Sequence, residues 1–362
     1  MRLTADFKEN NLDVLRLFFA STVVLFHTSA LSGLAALAPL GVYCNPSFAV
    51  RGFFVISGLL IYRSYTRSST VRSYLEKRVR RIYPAYFVIV VGAAILLPLF
   101  SPQFPIHTYG FGFWKYLGAN LVFLNFLAPN LPGVFTSNEL QAVNGALWTL
   151  KIEVVFYLSV PIIYRLSKRF GTNLTIGTIF VLSCIWRYTF WWLSQVDPSR
   201  TIWQKLDVQI PSAIAYFCAG ILLLIHLDKL RDHVLLVGVI AACAFAADLL
   251  WGREVLDLIS ISGFVLICGF WRYLGNFAKF GDFSYGVYIV HWPILQCMIW
   301  WHLVSQNAGA FLGLALTFVF VASFFMWHLV EKRFLATGSH YKEAPAEASP
   351  TVRKSLPGAE AP

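Results

Sequence analysis

Leu12-Asp13-Val14-Leu15-Arg16-Leu17-Phe18-Phe19-Ala20-Ser21-Thr22-Val23-Val24-Leu25-Phe26-His27-Thr28-Ser29-Ala30-Leu31-Ser32-Gly33-Leu34 is the stretch whose reading decides the fold. It is apolar for long enough to cross a hydrocarbon layer as a helix, which takes about 20 residues. Two costly residues interrupt it, Arg16 and His27, eleven positions apart. Eleven residues make about three turns, so both side chains lie on one face, separated by about 16 Å along the axis. Ionisable groups inside a membrane mark pathways or reaction centres, so this run is not a plain anchor. Arg2 and Lys8 ahead of it imitate a signal peptide, but the length of the run and its ionisable residues argue for a span.

The rest of the chain agrees. Of 362 residues, 57% are hydrophobic and only 13% charged, with a mean hydropathy of +0.63. That composition excludes a soluble domain of this size and predicts an all-α, polytopic membrane protein. In a soluble chain the net charge of +11 would suggest nucleic acid; here the cations sit in short loops between apolar runs, which points to membrane topology and anionic lipid instead. Six cysteines show no CxxC or Cys/His ligand spacing, so neither a disulfide framework nor a metal site is expected. His107, His226, His233, His302, His328 and His340 also lack the paired spacing of a metal helix, which disfavours a zinc hydrolase.

Ten apolar runs read as spans, at 12–34, 48–64, 84–101, 145–166, 173–194, 209–227, 233–251, 255–272, 283–303 and 309–330. An eleventh segment, 114–127, is aromatic but broken by Lys115, Gly118, Asn120 and Asn125. If it does not cross, alternate loops collect most of the 29 lysines and arginines on the side of the termini; if it crosses, that bias is lost. The segment is therefore expected to be re-entrant or interfacial, and both termini cytoplasmic. Trp186, Trp191, Trp192, Trp300 and Trp301 close spans as interfacial belts do. Residues 1–334 form the membrane domain, and the Ala, Pro, Glu and Ser-rich 335–362 read as a disordered cytoplasmic tail.

Four constellations carry chemistry. Arg78, Arg80 and Arg81 precede Pro84, which is expected to start the third span; with Arg16 on the same side they suit phosphates of a soluble ligand, although positive-inside topology and anionic lipid also explain them. Trp148, Thr149 and Glu153 open the fourth span, and depth along the helices places Glu153 within about 4 Å of the level of His27. A carboxylate that orients an imidazole makes a general base; a structural pair of Glu153 with Lys151 or Arg51, and a hydrogen bond from His27 to Thr149, are the plainer alternatives. Ser284, Tyr288 and His291 form a polar stripe at i, i+4 and i+7, followed by Pro293, and suit either ligand contact or a packed kink. Phe53-Phe54-Val55-Ile56-Ser57-Gly58 offers small residues for close helix approach, with Arg51 placed to meet an anionic acceptor or Glu153.

In order and placement, these motifs resemble the membrane-bound acyltransferase family 3, over Leu12 to about Phe334, in the form without a fused esterase-like domain. Glu331-Lys332-Arg333 is similar to that family's closing Glu-Lys-Pro element, with Arg333 in place of proline. The resemblance implies an inner-membrane O-acyltransferase that moves an acyl group, acetyl above all, from cytoplasmic acyl-CoA to a hydroxyl of a surface or lipid-linked carbohydrate on the periplasmic side. It implies His27 and Glu153 as catalytic groups, Arg16, Arg78, Arg80, Arg81, Ser284 and Tyr288 as donor contacts, and Arg51, Trp148, Thr149 and His291 as acceptor contacts. Glycan-assembly proteins are the partners it suggests, without metal or nucleic acid. His27 either deprotonates the acceptor or carries the acyl group itself. A proton-coupled exporter of a glycan or small metabolite is the competing class, disfavoured because no counterpart of the Arg16/His27 helix is visible in the second half.

Overall fold

A computed structural model describes residues 7, 9–101, 110–251, 256–304 and 307–336. The expected disordered tail falls almost wholly outside the described residues, as do His107 and His340. Among the described residues all regular structure is helical, apart from one isolated bridge between Asn130 and Ala142.

Every expected span coincides with a helix. They are α1 (Leu12–Ser32), α2 (Pro46–Thr66), α3 (Val71–Leu96), then α4 (Phe111–Leu121) in the aromatic segment, α5 (Trp148–Phe170), α6 (Thr172–Val196), α7 (Ile210–Ile225), α8 (Val234–Trp251), α9 (Asp257–Phe270), α10 (Ser284–Trp300) and α11 (Ala308–Phe325). Eight helical stretches are long and apolar enough to cross a membrane; α9 and α10, of 14 and 17 residues, are shorter. The chain is a multi-pass membrane protein.

Local chemistry sets the helix ends. Asn45 accepts from the Phe48 N–H and Pro46 opens α2. The Thr70 hydroxyl accepts from Ser73 N–H at the start of α3, and Asn307 accepts from Ala310 N–H before α11. Gly33, at φ 64°, closes α1 with its N–H on the Ser29 carbonyl. One boundary differs from the sequence reading. The helix expected to begin at Pro84 begins at Val71, because the Thr70 cap lies ahead of the basic run; Pro84 lies inside α3.

Two other internal prolines leave a carbonyl four residues back without its helical donor, and each carbonyl is taken by a distant side chain. The Tyr74 hydroxyl donates to Tyr157 O, which Pro161 abandons, at 3.1 Å. The Asn144 amide donates to Ile289 O, which Pro293 abandons, at 2.8 Å. The second bond fastens the segment between α4 and α5, residues 122–147 and here the outer segment, onto α10. Gln296 donates to the Leu140 and Ala142 carbonyls, and Trp292 to the Ala142 carbonyl. The 11-residue α4 is about 16 Å long, too short to cross, as expected for 114–127.

Close helix approach is concentrated where α2 crosses α7. A Cβ on Gly58 would lie 2.0 Å from the Phe217 carbonyl oxygen, and one on Gly220 would lie 1.9 Å from that of Val55. The two glycines are reciprocal, each receiving the other helix's backbone. Gly58→Ala and Gly220→Ala are each expected to lower the unfolding temperature in detergent, through overpacking of about 1–3 kcal/mol. Gly92→Ala, in α3 with open space around it, is expected to leave that temperature unchanged or raised.

Candidate active site

α1 packs against α10, α2 and α9. Two of its ionisable residues, Arg16 and His27, meet α10 and the turn before it at separate points. Arg16 Nη1 lies 2.5 Å from Asp282 Oδ2, and His27 Nδ1 lies 2.9 Å from His291 Nε2. Eleven residues separate the contacts on one strand of this ladder and nine on the other, so α1 and α10 run parallel. With every other run between them read as a span, parallel α1 and α10 agree with a 114–127 segment that does not cross, as does its short helix.

The two imidazoles are nearly coplanar, at 7°. His291 is fully buried and His27 largely so. The Trp292 ring stands edge-on to His27 at 4.8 Å, and Phe26 covers it at 5.4 Å. His291 Nδ1 faces the carbonyls of Tyr288, at 2.8 Å, and Val287, at 3.3 Å. The expected contact between His27 and Glu153 is not the one formed. Glu153 accepts from the Tyr157 hydroxyl at 2.7 Å. Matching depth placed both groups at one level but said nothing of azimuth; α5 packs against α2, α3, α6 and α7.

The polar stripe of α10 is buried, with partners the sequence did not assign. Tyr288 Oη meets Thr149 Oγ1 at 2.8 Å and donates to Ala146 O at 3.2 Å. Thr149 therefore serves Tyr288 rather than His27. Phe53 stands edge-on to Tyr288. Ser284 donates to Asp282 from its hydroxyl and its N–H. Trp148 is half-buried against the core beside them.

At the end of the ladder nearer the termini, Asp282 is the node. Arg16 and Arg81 both contact it, and Arg81 also reaches Glu331 at 3.3 Å. Asp13 lies 4.0 Å from Arg16. The Glu331 position noted as a family-like closing element thus supplies a buried carboxylate on the π-helical turn Met326–Glu331. The arginines grouped in sequence are divided by helical geometry: Arg78 and Arg81 share a face, while Arg80 points outward and pairs with Glu76 at 2.7 Å. Arg78 donates to Ser64 Oγ, stands over the Tyr157 ring, and has a buried Nε without a hydrogen-bond partner.

A second ionic node lies at the other end of the spans. Asp257 holds Arg51 and Arg187, each at 2.7 Å, and accepts from the Tyr216 hydroxyl at 2.5 Å. Arg51 therefore pairs with Asp257 and not with Glu153. Asp257, Arg187 and Tyr216, like Asp282, were not singled out in the sequence. Asp257 and Asp282 are lone acids at or just before helix starts, while Arg187 and Tyr216 lie inside α6 and α7; the one signal that calls for the two acids is a buried arginine without a local partner.

The chain matches the model of the acyltransferase domain over residues 9–328. It belongs to the acyltransferase family 3. Nodulation protein 10 of Rhizobium leguminosarum bv. viciae is 26% identical over 86% of this chain and 92% of its own length. The O-acetyl transferase of Shigella phage Sf6 is 26% identical, with 92% and 98% covered. The peptidoglycan O-acetyltransferase OatA of Listeria monocytogenes is 25% identical over 80% of this chain, which spans about half of that relative's length. No solved structure matches. This family 3 member is thus an acyltransferase, and the phage and Listeria relatives are named O-acetyltransferases.

Burial pushes the Asp282 carboxyl up, but Arg16, Arg81 and the two Ser284 bonds outweigh it and hold the group below the usual carboxylate range. A depressed acid contributes stability above its unfolded value, near 3.9, and loses that contribution as pH falls through the folded value. Asp282→Asn leaves two buried guanidiniums short of charge and is expected to cost about 3–5 kcal/mol at pH 7. Thermal unfolding in detergent is expected to show that gap persisting at pH 5 and narrowing only in strong acid.

Proposed function

We propose that this protein is an inner-membrane O-acetyltransferase that takes an acetyl group from cytoplasmic acetyl-CoA and places it on a hydroxyl of a surface or lipid-linked carbohydrate on the periplasmic side. The observation that carries this reading is the parallel ladder of α1 and α10, with ion-paired Arg16 at one end and the His27/His291 pair about 16 Å farther along. The positive charge of alternate loops supports a cytoplasmic position for the Arg16 end and both termini. The names of relatives that act as O-acetyltransferases, one of them on peptidoglycan, support carbohydrate as the acceptor class.

The residues divide the work by position. Arg78, with its unpartnered Nε, is the guanidinium placed to receive a donor phosphate, and Arg80 adds charge at the surface. Arg16 and Arg81 are neutralised by Asp282 and Glu331, so they form the floor of this entrance and meet phosphate only as those pairs rearrange. Tyr157, Glu153, Thr149 and Tyr288 continue a polar line toward the histidines. His27 accepts the acceptor's hydroxyl proton as oxygen attacks the thioester carbon. A hydroxyl is too weak an acid to react without such a base.

Trp292 and Trp148 border the acceptor side, where the outer segment is bound to α10. The Arg51/Arg187/Asp257 node holds two guanidiniums at that face, the residue type that recognises anionic groups. Membranes carrying His27→Ala are expected to contain folded protein at the normal level and to lose at least about 100-fold of acetyl-CoA-dependent acyl transfer. Release of free CoA thiol, with acetate recovered on glycan, measures it; unchanged release in that variant would overturn the proposal.

A further inference from the structure

We infer that His291 is a positioning residue that fixes the tautomer of His27, so that His27 Nε2, and not Nδ1, is the nitrogen that performs the acyl-transfer chemistry. The inference rests on the proposed function for the identity of the reaction, and on geometry alone for the tautomer.

The derivation begins at the backbone of α10. His291 Nδ1 faces two carbonyl oxygens, those of Tyr288 and Val287. A carbonyl only accepts, so Nδ1 of His291 carries the hydrogen. The ring is fully buried among apolar neighbours, and two adjacent imidazolium ions would place like charges side by side without water. The neutral ring therefore has its lone pair on Nε2. That lone pair lies 2.9 Å from His27 Nδ1, so the hydrogen between the rings belongs to His27. His27 Nδ1 is committed as a donor. The lone pair of His27 is left on Nε2, directed away from His291.

A chain of fixed hydrogens thus runs from a helix backbone through His291 to His27, the role that an orienting carboxylate fills in other base-assisted sites. Here the orienting group is neutral. It fixes direction without adding a charge that would hold the proton on His27 after transfer. The balance is simple: the acceptor oxygen forms its bond to the thioester carbon as its proton passes to His27 Nε2; the carbon–sulfur bond breaks; and the same nitrogen returns the proton to sulfur, giving free CoA thiol. The hydrogen on Nδ1 does not move, so no proton needs to pass through His291.

The stacking partners support one ring orientation. Trp292 is edge-on to His27 and is itself tied to Ala142 O. A Cβ on Gly145 would collide with the Trp292 ring at 2.5 Å, so the outer segment packs directly on the ring that borders His27.

The test uses full-length protein in nanodiscs with 15N-labelled histidine rings, assigned by single His variants, together with acetyl-transfer kinetics. The wild-type spectrum, recorded without substrate, is expected to show His27 as the Nδ1–H tautomer. His291→Ala is expected to mix the tautomers and lower kcat about 100-fold with the KM for acetyl-CoA nearly unchanged. His291→Gln, whose amide oxygen accepts from His27 Nδ1, is expected to restore the tautomer and at least about tenfold of kcat. A wild-type His27 with its hydrogen on Nε2, or a His291→Ala variant that raises KM at intact kcat, overturns the inference. Since the spectrum needs no substrate, inactivity of the wild type toward acetyl-CoA would count against the proposed donor and leave the tautomer assignment standing.

Discussion

A hydrogen bond between two imidazoles inside a membrane-spanning bundle constrains everything around it. Neither ring can be left without a partner there, because an unpaired polar group in an apolar medium costs several kcal/mol. His27 on α1 and His291 on α10 satisfy each other, and the backbone of α10 accepts from the other nitrogen of His291. That requirement fixes the two helices in register and in parallel. Arg16 then falls beside Asp282, where a second costly group finds its counter-charge. Remaining elements are arranged to keep this ladder dry and in place: the α2/α7 glycine crossing behind it, α3 with Arg81 at one end, and the outer segment at the other.

Proline and asparagine link the ladder to the outer surface. Pro293, two residues beyond His291, frees the Ile289 carbonyl, and Asn144 takes it. The freed carbonyl and the tether are therefore one device. Asn138, Gln296 and Trp292 extend it, so the outer segment is joined by hydrogen bonds to the helix that bears His291. Ionic nodes at Asp282 and Asp257 bracket the site, one at each end of the spans. Glu331 adds a second carboxylate to the first; the second joins two arginines through one aspartate.

Much of this was legible in the sequence, and the reason is periodicity. Ten apolar runs mapped onto helices because hydrocarbon enforces both length and composition. The count of charges gave the status of 114–127, and Arg16 and His27 stood out because nothing apolar explains them. Pairing was less visible. Depth along a helix is computed from residue number, but azimuth depends on which helices are neighbours, so Glu153 was set beside His27 when His291 occupies that place. For the same reason Arg80 was grouped with Arg81, although 100° per residue turns them to different faces. Asp257 and Asp282, short side chains at helix ends, carried no pattern of their own; only the buried arginines they neutralise reveal them. Pro84 misled because a proline also sits inside a helix whose true cap, Thr70, lies farther back.

Transfer across the membrane is the central claim, and sidedness tests it most directly. Sealed proteoliposomes of uniform orientation would receive radiolabelled acetyl-CoA on the face of Arg16 only, with a carbohydrate acceptor trapped on the opposite face. The expected result is label on the trapped acceptor, dependent on His27, with no acetyl-CoA entering the lumen. Label confined to acceptor supplied on the same face as acetyl-CoA would contradict it.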